Sequence, residues 1–201
     1  MRIRVADKQD ARELLDLYAH YIEHTAITFE YDVPSLVEFQ GRIQRILTGY
    51  PYLVALEDGK ILGYAYAGRF HERRACDWAV ETAIYVHKDT KRSGVGKALY
   101  QALEKALYLQ NIVSVNACIA NPLVEDEYLT KNSIQFHEHM GYRFSGEFYK
   151  CGYKFGRWYN LVWMEKFLME HPKEPKPIVG FPKIREAFEA WLSQEYQVEK
   201  Q

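Results

Sequence analysis

Val80-Glu81-Thr82-Ala83-Ile84-Tyr85-Val86-His87-Lys88-Asp89-Thr90-Lys91-Arg92-Ser93-Gly94-Val95-Gly96-Lys97-Ala98-Leu99 is the most informative stretch of the chain. It opens as a β-rich run with one carboxylate, Glu81, in apolar company. A short basic loop follows, with glycine at 94 and 96. Val95, Ala98, Leu99, Ala102, Leu103, Ala106 and Leu107 then recur at helical spacing. A strand therefore passes through a basic glycine loop into a helix. Free N–H groups and the dipole at a helix start suit a phosphate, and glycine lets the backbone come close. A Walker-type loop would need glycine at Lys91 and serine or threonine at Ala98. A dinucleotide fingerprint would need a third glycine at Leu99 and a place early in a parallel fold. Both fail.

Upstream, residues 52–56 and 61–67 are apolar runs around Glu57-Asp58-Gly59-Lys60, a hairpin signal. Before them come a strand at 3–6, a helix over 11–22 capped by Asp7, and a second helix from Pro34 or Ser35. Downstream, the pattern predicts a strand at 113–119, a short helix at 133–140 and a strand pair at 142–150 and 155–165. The order is β-α-α-β-β-β-α-β-α-β-β, a mixed α/β fold. Antiparallel strands come first, then one strand–helix–strand crossover. Residues 171–182 carry four prolines and read as a linker. Ile184, Ala187, Phe188, Trp191, Leu192 and Tyr196 then share one face of an amphipathic helix. The expected division is a domain over 1–168 and a linker plus helix over 169–201. That helix must pack on the parent domain, a second subunit or a site it covers.

At 201 residues, with 48% hydrophobic and 26% charged, the chain is globular rather than disordered. Twenty-six basic against 27 acidic side chains leave a net charge of −1, which argues against a nucleic-acid partner. No apolar stretch approaches the ~20 residues of a membrane span. Cys76, Cys118 and Cys151 are odd in number and widely spaced. They form no disulfide framework and no zinc pattern. The expectation is a soluble cytoplasmic protein with free thiols and no metal.

The spacing Lys91-x-x-Gly94-x-Gly96 fits (Gln/Arg)-x-x-Gly-x-(Gly/Ala) with lysine in first place. In this strand order it resembles the pyrophosphate loop of the GNAT acyl-CoA N-acyltransferases, over residues 1 to about 168. Four ordered blocks resemble the phosphinothricin acetyltransferase branch: residues 25–30 (Thr-Ala-Ile-Thr-Phe-Glu), 77–86, 133–142, and 152–158 (Gly-Tyr-Lys-Phe-Gly-Arg-Trp). The resemblance implies a twisted, mainly antiparallel sheet, splayed at its central strands and flanked by helices, with acetyl-CoA in the cleft. It also brings a homodimer into view. Lys91 departs from the family's Gln or Arg but keeps the charge.

The resemblance assigns roles by position. Lys91, Arg92, Ser93, Gly94, Val95, Gly96 and Lys97 would hold the pyrophosphate; the alternative is a solvated basic loop. Ile84, Tyr85 and Val86 would pair with the pantetheine arm or serve only as core strand. A carboxylate in an apolar strand is costly unless paired or facing a polar cleft, and an ammonium must lose a proton before it attacks a thioester. Glu81 is thus the candidate general base, or else an ion-pair partner. His137 stands where many relatives carry tyrosine near the CoA sulfur. It would protonate the leaving thiolate, position the thioester, or merely pack. Asn121 and Asn132 compete for a CoA contact, with Asn132 preferred. Phe29, Glu30 and Arg74 would bind the acceptor, with Arg74 preferred to Arg73 as the anchor for an acid group. Arg157 and Trp158 would shape the acceptor end or a subunit contact. The implied reaction is direct acetyl transfer from acetyl-CoA to the primary amine of a small molecule, an amino acid or analogue. A protein N-terminus, a polyamine or an antibiotic are alternative acceptors, and a non-catalytic acyl-CoA sensor is the alternative of another class.

Overall fold

The structure is a computed structural model that describes residues 1–90 and 93–196. Its strands are β1 (Arg2–Val5), β2 (Tyr52–Glu57), β3 (Lys60–Arg69), β4 (Ala79–Val86), β5 (Ser114–Asn121), β6 (Arg143–Lys154) and β7 (Arg157–Phe167). Its helices are α1 (Ala11–His24), α2 (Leu36–Leu47), α3 (Val95–Leu109), α4 (Asn132–His139) and α5 (Phe181–Tyr196). Local chemistry explains most boundaries. Asp7 and Asp10 form a capping box ahead of α1, and the Ser35 hydroxyl accepts the Glu38 N–H at the start of α2. Asp58 and Gly59, at φ of 50° and 78°, make the two-residue turn between β2 and β3.

The seven strands form one sheet in the order β1-β2-β3-β4-β5-β7-β6. Every neighbouring pair is antiparallel except β4 and β5, joined by the α3 crossover. Those two pair only from Ala79↔Ser114 to Glu81↔Asn116 and then diverge. The splayed, helix-flanked sheet implied by the family resemblance is the observed fold. Helices cover both faces. Leu53 and Ala55 of β2 pack with α3 and α5, while the alternating Tyr52 and Val54 pack with α1 and α2.

Two boundaries differ from the sequence reading. The last hairpin turns at Phe155 and Gly156, at φ of 51° and 74°, so β6 continues to Lys154 through a bulge between Phe148 and Gly152. A bulky residue at positive φ is unusual, which hid the turn. Gly152 serves packing: a Cβ there would lie 2.0 Å from Phe29 Cε2. Helix α5 begins at Phe181, with Pro182 in its first turn, where a missing N–H costs nothing.

The segment after β7 is laid on the domain. Trp78 Nε1–H donates to the Lys176 carbonyl at 2.7 Å, and Gln110 Nε2 donates to the carbonyls of Gly49 and Val179 at 2.8 Å each. Phe181, Phe188 and Leu192 of α5 join the same buried cluster as α3 and β1. Of the packing options for this helix, the parent domain is the one observed. Gln197 and the residues after it lie outside the described residues.

Candidate active site

The cleft opens where β4 and β5 part. The His87 N–H donates to the Leu62 carbonyl at 2.7 Å, so odd-numbered residues of β4 turn their backbone groups toward β3. Even-numbered ones face β5. In agreement, the Val80 carbonyl accepts the Asn116 side-chain amide at 3.1 Å. Beyond Glu81 there is no β5 partner, so Ile84 presents its N–H and C=O to the cleft. Tyr85 spends its backbone on the β3 ladder. Val86 is covered: the Tyr21 hydroxyl donates to its carbonyl and accepts its N–H.

Glu81 lines this cleft together with Thr82, Ile84, Cys118, Ser133 and His137. Among the described residues no hydrogen bond or ion pair holds its carboxylate, and burial alone raises its pKa above the ordinary carboxylate range. The neighbouring Cys118 thiol is pushed up to about 12, by burial first and by the Glu81 charge second. It stays protonated and is a poor nucleophile.

His137 is 3% exposed. Its Nδ1 lies 2.7 Å from the Ser133 carbonyl, which can only accept, so Nδ1 carries the hydrogen. Nε2, 2.9 Å from the Tyr100 hydroxyl, is then the acceptor. Burial lowers its pKa to about 4 against a weaker upward pull from the Ser133 carbonyl. The imidazole is neutral at pH 7, and its one N–H is committed to Ser133. Tyr100 and Tyr142 also approach the Thr82 hydroxyl at 3.4 and 3.3 Å, and that hydroxyl contacts the Asn116 carbonyl at 3.2 Å. This buried polar network sits where the two strands separate.

The start of α3 is built for close approach. Gly94 has φ 86° and offers no side-chain cap, so among the described residues the first-turn N–H groups of Val95, Gly96 and Lys97 have no partner. A Cβ on Gly96 would lie 3.1 Å from Phe136 Cε2 and 3.6 Å from Ile84 Cδ1. Its absence tucks the helix start against both α4 and the cleft strand. Ser93 Oγ donates to the Thr90 carbonyl at 2.5 Å. Lys91 and Arg92 lie outside the described residues. Open N–H groups beside a free strand edge fit a pyrophosphate followed by an amide-bearing arm, as in coenzyme A.

The acceptor candidates are more dispersed. Ile27 lines the cleft, whereas Phe29 of the same loop packs toward Tyr159 and over Gly152. Glu30 accepts from Arg42 at 2.7 Å and from the Tyr18 hydroxyl at 3.0 Å. Arg74 stands on an exposed turn and does not line the cleft. Asn132 is exposed at the start of α4, one residue from the lining Ser133. Asn121 donates to Glu147 at 2.7 Å, and its buried Oδ1 has no partner among the described residues. Sequence reasoning missed Tyr66, Thr82 and Tyr100. A signal existed for Tyr100: it lies four residues after Gly96, on the helix face that meets α4.

A splayed β4–β5 pair beside an uncapped glycine helix start defines an acyl-CoA-dependent acyltransferase. The chain matches the acetyltransferase (GNAT) domain over residues 3–163. It is 34% identical over 179 residues to the phosphinothricin N-acetyltransferase of Streptomyces viridochromogenes, covering 89% of this chain and 93% of that one. It is 31% identical over 176 residues to the L-methionine sulfoximine/L-methionine sulfone acetyltransferase of Salmonella typhimurium, covering 85% and 96%. The crystal structure of a GNAT phosphinothricin acetyltransferase from Sinorhizobium meliloti, in complex with acetyl-CoA, superposes with a TM-score of 0.77 at 28% identity, covering 89% and 97%. The chain belongs to the GNAT acetyltransferases, in their phosphinothricin acetyltransferase-like branch.

Proposed function

We propose that this enzyme acetylates the primary amine of a small amino acid or amino-acid analogue, of the phosphinothricin or methionine sulfone type, by direct attack on acetyl-CoA. The observation that carries this reading is the Glu81 carboxylate at the splay, without a partner among the described residues, beside the free edge at Ile84. The names of the relatives support the substrate class.

Acetyl-CoA supplies a thioester carbonyl as electrophile. Val95, Gly96 and Lys97, with Lys91, Arg92, Ser93 and Gly94 completing the loop, hold its pyrophosphate. Ile84 orients the arm and offers an N–H where carbonyl charge develops. Glu81, with its raised pKa, takes the proton from the acceptor ammonium, directly or through one water. Cys118 stays a thiol, so no acyl-enzyme forms. His137 is neutral and holds the Tyr100 hydroxyl, so its role is to position the cleft wall while water protonates the leaving thiolate. Ile27 is the acceptor-side lining residue. Phe29 and Glu30 support it from the same loop, Arg74, outside the cleft lining, could meet only the far end of an acceptor, and Asn132 borders the CoA arm. The enzyme is cytoplasmic, and among the described residues no helix is long and apolar enough to cross a membrane. The long edge strand β6 leaves Phe144, Phe148 and Tyr149 more than half exposed, and a second copy is the proposed cover.

The test is acetyl-CoA consumption with L-methionine sulfone, phosphinothricin, polyamines and aminoglycosides. Turnover confined to the first two is expected. Tight acetyl-CoA binding with no turnover of any amine would favour a sensor.

A further inference from the structure

Lys154 is a lysine that the catalytic scheme does not use, and it is 3% exposed. It closes the β6 side of the final hairpin, opposite Arg157. Its Nζ donates to the Thr25 carbonyl at 2.9 Å and to the Thr28 carbonyl at 2.8 Å. The Phe155 ring lies 5.1 Å from it. The two carbonyls belong to the irregular segment after α1 that carries Ile27, Phe29 and Glu30. Neither carbonyl has a place in a strand ladder.

A buried ammonium is a costly space-filler, since the charge loses its hydration. A methionine of similar length would fill the site more cheaply. What an ammonium adds is direction: donors aimed at fixed carbonyls. The same segment is held by independent anchors. The Phe29 ring lies over Gly152, the Tyr31 hydroxyl donates to the Tyr153 carbonyl, and the Ala26 N–H donates to the Tyr128 carbonyl at 3.0 Å. Thr28 continues the chain of contacts: its hydroxyl lies 2.9 Å from the Tyr18 hydroxyl, which donates to Glu30.

We propose that Lys154 is a positioning residue for the acceptor amine: its buried ammonium clasps the carbonyls of Thr25 and Thr28 and so fixes the segment that sets Ile27 against the cleft and carries Phe29 and Glu30 behind it. The inference rests on the acceptor reading above for its kinetic consequence, though not for its structural one. Acetyl-CoA uses the other side of the site, so its binding is independent of Lys154.

Two substitutions test this. Lys154→Met removes the charge at similar length, and Lys154→Gln keeps two N–H donors at shorter reach. Hydrogen exchange of the amides in residues 25–31 should quicken by roughly tenfold or more in Lys154→Met, with the α3 amides unchanged. With L-methionine sulfone as acceptor, KM should rise by a similar factor while kcat and the acetyl-CoA Kd hold within about twofold. Lys154→Gln should fall between wild type and Lys154→Met. Unchanged exchange in 25–31, or a fall in kcat with KM unchanged, would overturn the proposal. So would failure of both variants to fold, because Lys154 would then determine the fold and not the acceptor site. If wild type acetylates no amine, the acceptor reading fails, and the exchange rates alone decide whether Lys154 holds the segment.

Discussion

Glu81 and His137 show how one cleft sets two titratable groups to opposite ends. Both are desolvated. For the carboxylic acid that raises the pKa; for the imidazole it lowers it. The His137 effect has a stability consequence with a definite sign. The folded pKa is about 4, below the unfolded value near 6.5. Below pH 6.5 the unfolded chain takes a proton that the folded one refuses. The stability is therefore fully present above pH 6.5 and falls as pH drops toward 4, by roughly 3 kcal/mol in all. Urea unfolding at pH 7 and pH 4.5 should show a smaller loss in His137→Gln than in wild type, and equal losses would contradict the neutral buried imidazole. At this scale Glu81 could be found from sequence, because a charge in an apolar strand advertises itself. The state of His137 could not be found. Its neutrality depends on Ser133 and Tyr100, and Tyr100 meets it only once α3 and α4 are packed.

At the scale of elements, the short β4–β5 pairing and the start of α3 make one device. The strands separate after Glu81↔Asn116, and Gly96 allows the helix start to close in against Ile84 and Phe136. Gly96→Val should therefore push these apart and weaken acetyl-CoA binding by roughly tenfold or more, read by titration calorimetry, with far-UV circular dichroism unchanged. Undiminished affinity would argue against this helix start as the pyrophosphate site. The strand–loop–helix unit was legible because period and glycine spacing are local signals. The splay was legible only through the family resemblance, since no residue in β4 or β5 encodes a missing hydrogen bond. The turn at Phe155-Gly156 was hidden because phenylalanine does not suggest positive φ.

Across the whole molecule, the most C-terminal described helix is structural. Phe188 is 0% exposed and belongs to the cluster that includes α3 and β1. Phe188→Ala should cost about 3–5 kcal/mol in urea unfolding; a cost below about 1 kcal/mol would mean that α5 is only loosely attached. The amphipathic stripe of α5 was plain in the sequence, but its partner was not, because a stripe does not say what covers it. Base catalysis in the cleft of this assembled domain is tested most directly by Glu81→Gln. With L-methionine sulfone at pH 7, kcat should fall by roughly a hundredfold or more, while the acetyl-CoA Kd stays within about twofold. An unchanged kcat, or a loss of activity explained wholly by lost acetyl-CoA binding, would contradict Glu81 as the base.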